Sequence, residues 1–462
     1  MVFSSISFLY YFLPMVLLFY FIVPSKFKNV VLLIFSLLFY FYGEPKYIWV
    51  LILSCVINYI FGLIIEKHHK KIYLILDITF NLLLLCYFKY TNFFIQNINN
   101  LFSSNLSLID VVMPIGISFF TFQTMSYVID VYRGDAPANK NILNFSTYVC
   151  LFPQLVAGPI VRYKDINEQL TKRKVTFDLF ASGVGRFIIG LAKKVLVANV
   201  IGQMCNSLLE LPNITVLAYI LVAIGFTIQI YFDFSGYSDM AIGLGRMFGF
   251  NFFENFNYPL ISSSITEFWR RWHISLSSFF RDYVYIPLGG NRVSKLKWIR
   301  NIFIVWFLTG FWHGAAWNFI IWGLFFACFL LIEKLFLKDF LDKHKIIGHI
   351  YTLFLVIISF VIFNADSFNY IINFLKNLFG FGNIPFINKE TMYYFRSYGV
   401  ILFISFVAAT PLFKNLIIKF RKNKNLNTII DILEVLYYLL LLLLVTSYLI
   451  DASFNPFLYF RF

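Results

Sequence analysis

Long apolar runs recur from one end of this chain to the other, separated by short polar stretches rich in Lys and Arg. A helix needs about 20 apolar residues to cross a bilayer, so such runs predict membrane spans. They fall near residues 6–23, 29–43, 47–65, 72–88, 111–131, 177–201, 214–233, 299–312, 316–333, 347–364, 396–413 and 429–450. The strict alternation of a membrane β-barrel strand is missing, so the predicted fold class is all-α. The expected architecture is a polytopic integral membrane protein of about 11 transmembrane helices plus re-entrant and amphipathic helices. The run at 6–23 has no basic residue before it and no small-residue cleavage site after it, so it reads as a first span and not a removable signal. The Asn-rich stretch 96–105 reads as an outside loop. No repeat, no Pro-, Gly- or Ser-rich linker and no long soluble stretch interrupts the pattern, which predicts a single membrane domain over 1–462.

Between about Gly134 and Arg300 the pattern changes, and polar residues enter apolar sequence. Residues 151–160 are apolar, but Pro153, Gly158 and Pro159 forbid a straight helix. A re-entrant segment and a cytoplasmic loop folded under the bundle both fit, since irregular backbone at membrane depth needs protein or a cavity around it. Next, Tyr231-Phe232-Asp233-Phe234-Ser235-Gly236-Tyr237-Ser238-Asp239 sets two carboxylates at an expected helix end. There Asp233 is either an N-cap or a group orienting a histidine or Arg246. In residues 266–283, Trp269, Trp272, Leu276, Phe279, Phe280 and Tyr283 recur at helical spacing, and Arg270 and Arg281 return to nearly one azimuth eleven residues apart. This is either an interfacial helix with arginines toward headgroups or a mouth attracting a phosphate-bearing donor. Arg271 and His273 belong to the same segment. Pro287-Leu288-Gly289-Gly290 closes it as a turn.

Composition agrees with the pattern: 60% of residues are hydrophobic, 21% aromatic and 13% charged, against about 25% charged in soluble domains. The net charge of +15 would suit nucleic acid, but its distribution is topological. With the N-terminus outside, about 32 of the 38 basic residues fall on the cytoplasmic side, leaving Lys46, Lys89, Lys376, Lys389, Arg396 and Arg461 on the other. Cys55, Cys86, Cys150, Cys205 and Cys328 are scattered in mostly apolar segments, so they read as packing residues. No zinc spacing joins His273 to His313, and no nucleophile elbow or phosphate-binding loop occurs, so no metal site is expected.

His313 is the most informative residue. It stands in Gly310-Phe311-Trp312-His313-Gly314-Ala315-Ala316-Trp317-Asn318, between two short apolar runs whose outer ends are basic. It therefore lies at a turn between two inward-facing helices, within the membrane or toward its outer half. An ionisable group at that depth is a functional hypothesis by default. Imidazole also serves as an interhelical hydrogen-bonding group, so base and bridge both fit the residues alone.

Taken together in this order, four segments resemble the membrane-bound O-acyltransferase family, in the branch of alginate and peptidoglycan O-acetyltransferases. They are Gly158-Pro159-Ile160-Val161-Arg162, the 233–239 motif, residues 268–276 with Pro287–Arg292 following, and Gly310 to Ala315. The resemblance covers nearly the whole chain. It implies that His313 is the catalytic base, that His273 is a second active-site residue, and that a tunnel joins a cytoplasmic acyl donor, acetyl-CoA, to an outside acceptor. In that setting Trp312, Asn318 or His273 would serve a developing oxyanion, while Arg270, Arg271, Arg281 and Asp233 are donor-binding or tunnel candidates. The aromatic end of the chain resembles a tail of this branch whose tyrosine relays the acyl group, here Tyr459; a membrane-interface aromatic belt is the alternative. The resemblance also implies a bacterial cell-membrane location, a cell-surface polysaccharide acceptor and a separate extracytoplasmic SGNH-type partner. D-alanyl transfer to teichoic acid from a carrier protein is the neighbouring activity. A transporter would instead show repeat symmetry, and a scaffold would tolerate loss of His313.

Overall fold

The computed structural model describes residues 2–156, 158–451 and 457–458, and every regular element among them is helical. Among the described residues, eight helices are long and apolar enough to cross a membrane: Ser25–Gly43, Ile48–His68, Lys71–Phe102, Val216–Met247, Trp317–Lys343, Lys345–Phe363, Lys389–Ala408 and Asn427–Asp451. The four other predicted spans are also helical but fall outside that group. Phe8–Ile22 is short, and Ile117–Arg133 has 17 residues. The 177–201 span begins as helix Phe177–Ala192 and meets Lys193 and Lys194 midway. Helix Lys295–His313 carries Lys295, Lys297 and Arg300 in its first turns.

Two expectations are corrected here. The 96–105 stretch is not a loop throughout, because helix Thr91–Phe102 runs through most of it. Its asparagines turn inward on local backbone: Asn97 donates to the Phe93 carbonyl at 2.7 Å, and Asn99 binds Leu106 through both its amide atoms. The second correction concerns the 233–239 motif, which is no helix end. Helix Val216–Met247 continues for 32 residues straight through it, so Asp233 is a mid-helix carboxylate and not an N-cap.

The chain forms two compact units. One comprises residues up to Phe187 with Tyr237–Phe253, and the other Ile188–Gly236 with the chain from Glu254 onward. In the first, Phe3, Phe8, Phe39 and Phe152 form an aromatic core with ring centroids 4.9 to 6.3 Å apart. Residues 151–160 make one short helix, Phe152–Leu155, and their described backbone is buried in protein. The Phe152 N–H, a first-turn donor without an intrahelical partner, finds Ser36 Oγ at 3.1 Å. Cys55 and Cys150 meet sulfur to sulfur at 3.6 Å as buried free thiols.

A polar cluster also lies inside this unit. Asn81 donates to Asp77 Oδ2 at 3.0 Å and to Asn58 Oδ1 at 2.8 Å, and Thr124 donates to Asn81 Oδ1 at 3.0 Å. All four residues are fully buried. They tie helices Ile48–His68, Lys71–Leu85 and Ile117–Arg133 together where apolar contact alone would leave register open.

In the second unit, helices Lys295–His313 and Trp317–Ile332 cross at two glycines. A Cβ on Gly310 would meet the Phe319 carbonyl oxygen at 2.3 Å, and one on Gly323 the Trp306 carbonyl oxygen at 2.3 Å. Small residues at such a crossing let backbones touch, the main packing device available without a hydrophobic drive. Glu333, buried in the membrane helix Trp317–Lys343, caps the short helix Ile265–Arg271 by accepting from the N–H groups of Ile265 and Thr266.

Candidate functional site

His313 is the last residue of its helix, because Gly314 is extended at φ −164° and ψ 155°. The expected turn between two helices is therefore present. Gly314 also has no room for a side chain, since a Cβ there would meet the Phe319 ring at 2.1 Å. The imidazole is 6% exposed and stands edge-to-face against Trp322 and Phe363, with centroids at 5.0 and 5.3 Å. Perpendicular rings on two sides fix its plane.

This ring faces a small cavity of about 20 Å³, room for roughly one water-sized group. The walls are Trp322, Phe360, Phe363, Trp272 and Phe234. Two titratable groups line it, His313 and Asp233, and Leu458 from the end of the chain completes it.

His273 lies behind the wall. Its ring packs at 4.6 Å, edge-on, against Phe234, and at 6.2 Å from Trp312, whose indole is 5.0 Å from His313. The residue is fully buried, and its backbone adopts φ 43°, in the left-handed region. Asn255 Oδ1 accepts from the Ser275 backbone N–H at 3.1 Å, which orients the amide, so His273 Nδ1 must be the donor in its 3.2 Å contact with that oxygen. Nε2 then carries the lone pair and has no hydrogen-bond partner among the described residues. His273 lies outside the eight candidate spans, and burial pushes its pKa down to about 3. It is a neutral hydrogen-bond acceptor at physiological pH.

That depression has a measurable consequence. The unfolded chain takes up a proton at His273 as pH falls below about 6.5, whereas the folded protein does so only near 3. Between those values wild type should lose about 1.4 kcal/mol of stability per pH unit from this group. In detergent, His273→Asn, which suits left-handed backbone, should show a shallower fall of melting temperature from pH 6.5 to 4.5.

The other expected residues are placed as follows. Asn318 donates to the Phe363 carbonyl at 2.9 Å and so ties helix Trp317–Ile332 to the end of helix Lys345–Phe363 beside His313. Asn318→Leu should lose about 1–3 kcal/mol by leaving that carbonyl buried without its donor, read as a lower melting temperature. The three arginines do not line the cavity. Arg270 is exposed, Arg271 pairs with Glu267 at 3.0 Å, and Arg281 pairs with Asp282 at 2.7 Å on the surface. Their expected common azimuth is also lost, because the helix breaks at Trp272 and His273 into Ile265–Arg271 and Ile274–Phe280. Tyr459 lies outside the described residues.

One residue was missed by sequence reading. Lys194, 2% exposed, forms an ion pair with Asp233, which is likewise 2% exposed. A lysine inside an apolar run was the available signal, since a buried charge needs a partner. It sits in a π-helical turn at Lys193–Ala198, a feature frequent at functional sites. No group of three or more His, Cys, Asp or Glu side chains is gathered to hold a metal among the described residues.

Comparison with known proteins shows the family. The chain is 43% identical over 392 residues to the probable alginate O-acetylase AlgI of Pseudomonas aeruginosa, covering 83% of this chain and 75% of that protein. It is 35% identical over 432 residues to the peptidoglycan O-acetyltransferase of Helicobacter pylori, covering 83% and 81%. A teichoic acid D-alanyltransferase of Bacillus subtilis is 32% identical over 286 residues, covering 56% and 71%. Residues 37–372 match the model of the MBOAT family, described as membrane-bound O-acyltransferases. That stretch holds both histidines, the Lys194–Asp233 pair and the walls of the cavity up to Phe363, so this multi-pass membrane acyltransferase belongs to the membrane-bound O-acyltransferase family.

Proposed function

We propose that this protein moves acetyl from a cytoplasmic thioester, acetyl-CoA, toward a cell-surface polysaccharide in the bacterial cell membrane, with His313 as general base. The observation that carries the reading is the placement of His313 on an aromatic-walled cavity with room for about one water-sized group. In this reading His313 takes the proton of an acceptor hydroxyl as its oxygen bonds to the thioester carbonyl carbon. The carbon–sulfur bond then breaks, and the thiolate leaves with the proton returned by the imidazolium. His273 packs beside Trp312 and steadies that side of the site. The acetylases among the relatives support acetyl as the group moved. The N- and C-termini face outside, where a separate SGNH-type protein completes transfer to the polymer, which is peptidoglycan, an alginate-like chain or another exopolysaccharide. Tyr459 is the relay in this scheme.

Inside-out membrane vesicles given acetyl-CoA with a labelled acetyl group test the donor and its side together. The expected result is label in ester linkage on the protein or on an acceptor enclosed in the vesicles. Label that enters only from the other face, or ester-linked D-alanine in its place on the cell-surface polymer, would overturn the reading.

A further inference from the structure

The Lys194–Asp233 pair has a third participant. The backbone N–H of Leu458 donates to Asp233 Oδ2 at 3.0 Å, while Lys194 binds Oδ1 of the same carboxylate. The Lys194 ammonium also stands 4.8 Å from the centroid of the Phe457 ring. Leu458, held in this way, forms part of the cavity wall that includes His313.

The arrangement is costly unless it does something. Two charges buried within helices at membrane depth are more often neutral or destabilising than stabilising when compared with apolar side chains. Sequence context shows how closely the pair has been set. Gly236, one turn after Asp233, leaves no space toward the neighbouring helix: a Cβ there would meet the Gly190 carbonyl oxygen at 2.7 Å and the Lys194 backbone nitrogen at 3.2 Å. The last membrane helix, Asn427–Asp451, packs against the same turn, Lys193–Ala198. The described C-terminal residues, Phe457 and Leu458, need a tether to stay beside that pocket. Here the Leu458 backbone donor is taken by a carboxylate and the Phe457 ring by an ammonium, two contacts that do not depend on close shape fit.

We propose that Lys194 and Asp233 are positioning residues that dock the C-terminal segment of this chain, through Phe457 and the Leu458 N–H, against the His313 cavity. In this role the pair acts on the reaction only through the segment it holds. The inference rests on the functional reading above, because docking matters for catalysis only if His313 does the chemistry.

The test uses the full-length protein in native membranes with Leu458→Cys, whose backbone N–H is retained. Maleimide labelling is read at position 458 by peptide mass. The paired variant Lys194→Met with Asp233→Leu follows the branching of each side chain and leaves no unpaired charge, so it should fold with a melting temperature near that of wild type in detergent. Thiol 458 should be protected in the parent and lose that protection in the paired variant. Polysaccharide acetylation should fall about 10²-fold, the scale for a misplaced reacting group. Should the paired variant fail to fold, Leu458→Pro, which removes the N–H and fixes φ, should lower acetylation well below the level of Leu458→Ala, with the two melting temperatures equal. Continued protection of thiol 458 in the folded paired variant, or full acetylation by Leu458→Pro, would overturn the docking role. His313→Ala separates the two ideas: it should abolish acetylation and leave thiol 458 protected. Acetylation retained in His313→Ala would remove the catalytic reading while leaving the labelling result to decide the dock.

Discussion

Replacing His313 with Gln should lower ester-linked acetate on the cell-surface polysaccharide by about 10²–10⁴-fold, the range that a positioned base contributes. Gln fills similar space and can still hydrogen-bond, but it cannot take a proton at neutral pH. The ring positions of Trp322 and Phe363 would lose one edge-to-face partner each, worth about 0.5–1.5 kcal/mol per pair. The melting temperature should therefore drop modestly while activity collapses. Both quantities are measured on protein at matched membrane abundance. Retained acetate with a large melting-temperature loss would make His313 an interhelical bridge.

Gly323→Val should have the largest effect on folding. Its Cβ would lie 2.3 Å from the Trp306 carbonyl oxygen and 3.2 Å from Gly310 Cα, and neither backbone can rotate away as a flexible side chain would. Overpacking in a well-packed core costs about 1–3 kcal/mol, and this site adds two further methyl groups to the clash. The helices Lys295–His313 and Trp317–Ile332 would have to separate, taking His313 away from Trp322 and Phe363. The expected result is a melting temperature lowered by several degrees in detergent, with acetylation reduced even at 25 °C. Wild-type values for both would mean that the crossing tolerates adjustment.

Eight of the twelve predicted spans were legible in the sequence because length and apolarity decide them almost alone, and His313 stood out because a polar group at that depth has few ordinary explanations. What failed did so for local reasons. The common azimuth of Arg270 and Arg281 assumed one helix, and a histidine in left-handed backbone ended it; nothing in the sequence marks His273 for that conformation. Asp233 looked like a cap because carboxylates favour helix starts, yet a lysine 39 residues earlier neutralises it within a helix. A pairing across that separation is tertiary information. The asparagines near residue 99 suggested a loop by composition, although amide side chains bonding to nearby backbone can also line a helix and its exit.

The cluster of Asp77, Asn81, Asn58 and Thr124 bears on how the protein is made. A carboxylate within a span raises the cost of entering lipid by about 2.5–3.5 kcal/mol when that helix inserts alone. The span holding Asp77 leaves the ribosome after the one holding Asn58 and before the one holding Thr124. Its biogenesis is then a sequential handover: Asn58 is already waiting to receive Asn81, and Thr124 arrives to complete the network. Chain order thus doubles as an assembly schedule, in which a hairpin of the earlier two helices shelters a polar group until the third closes over it.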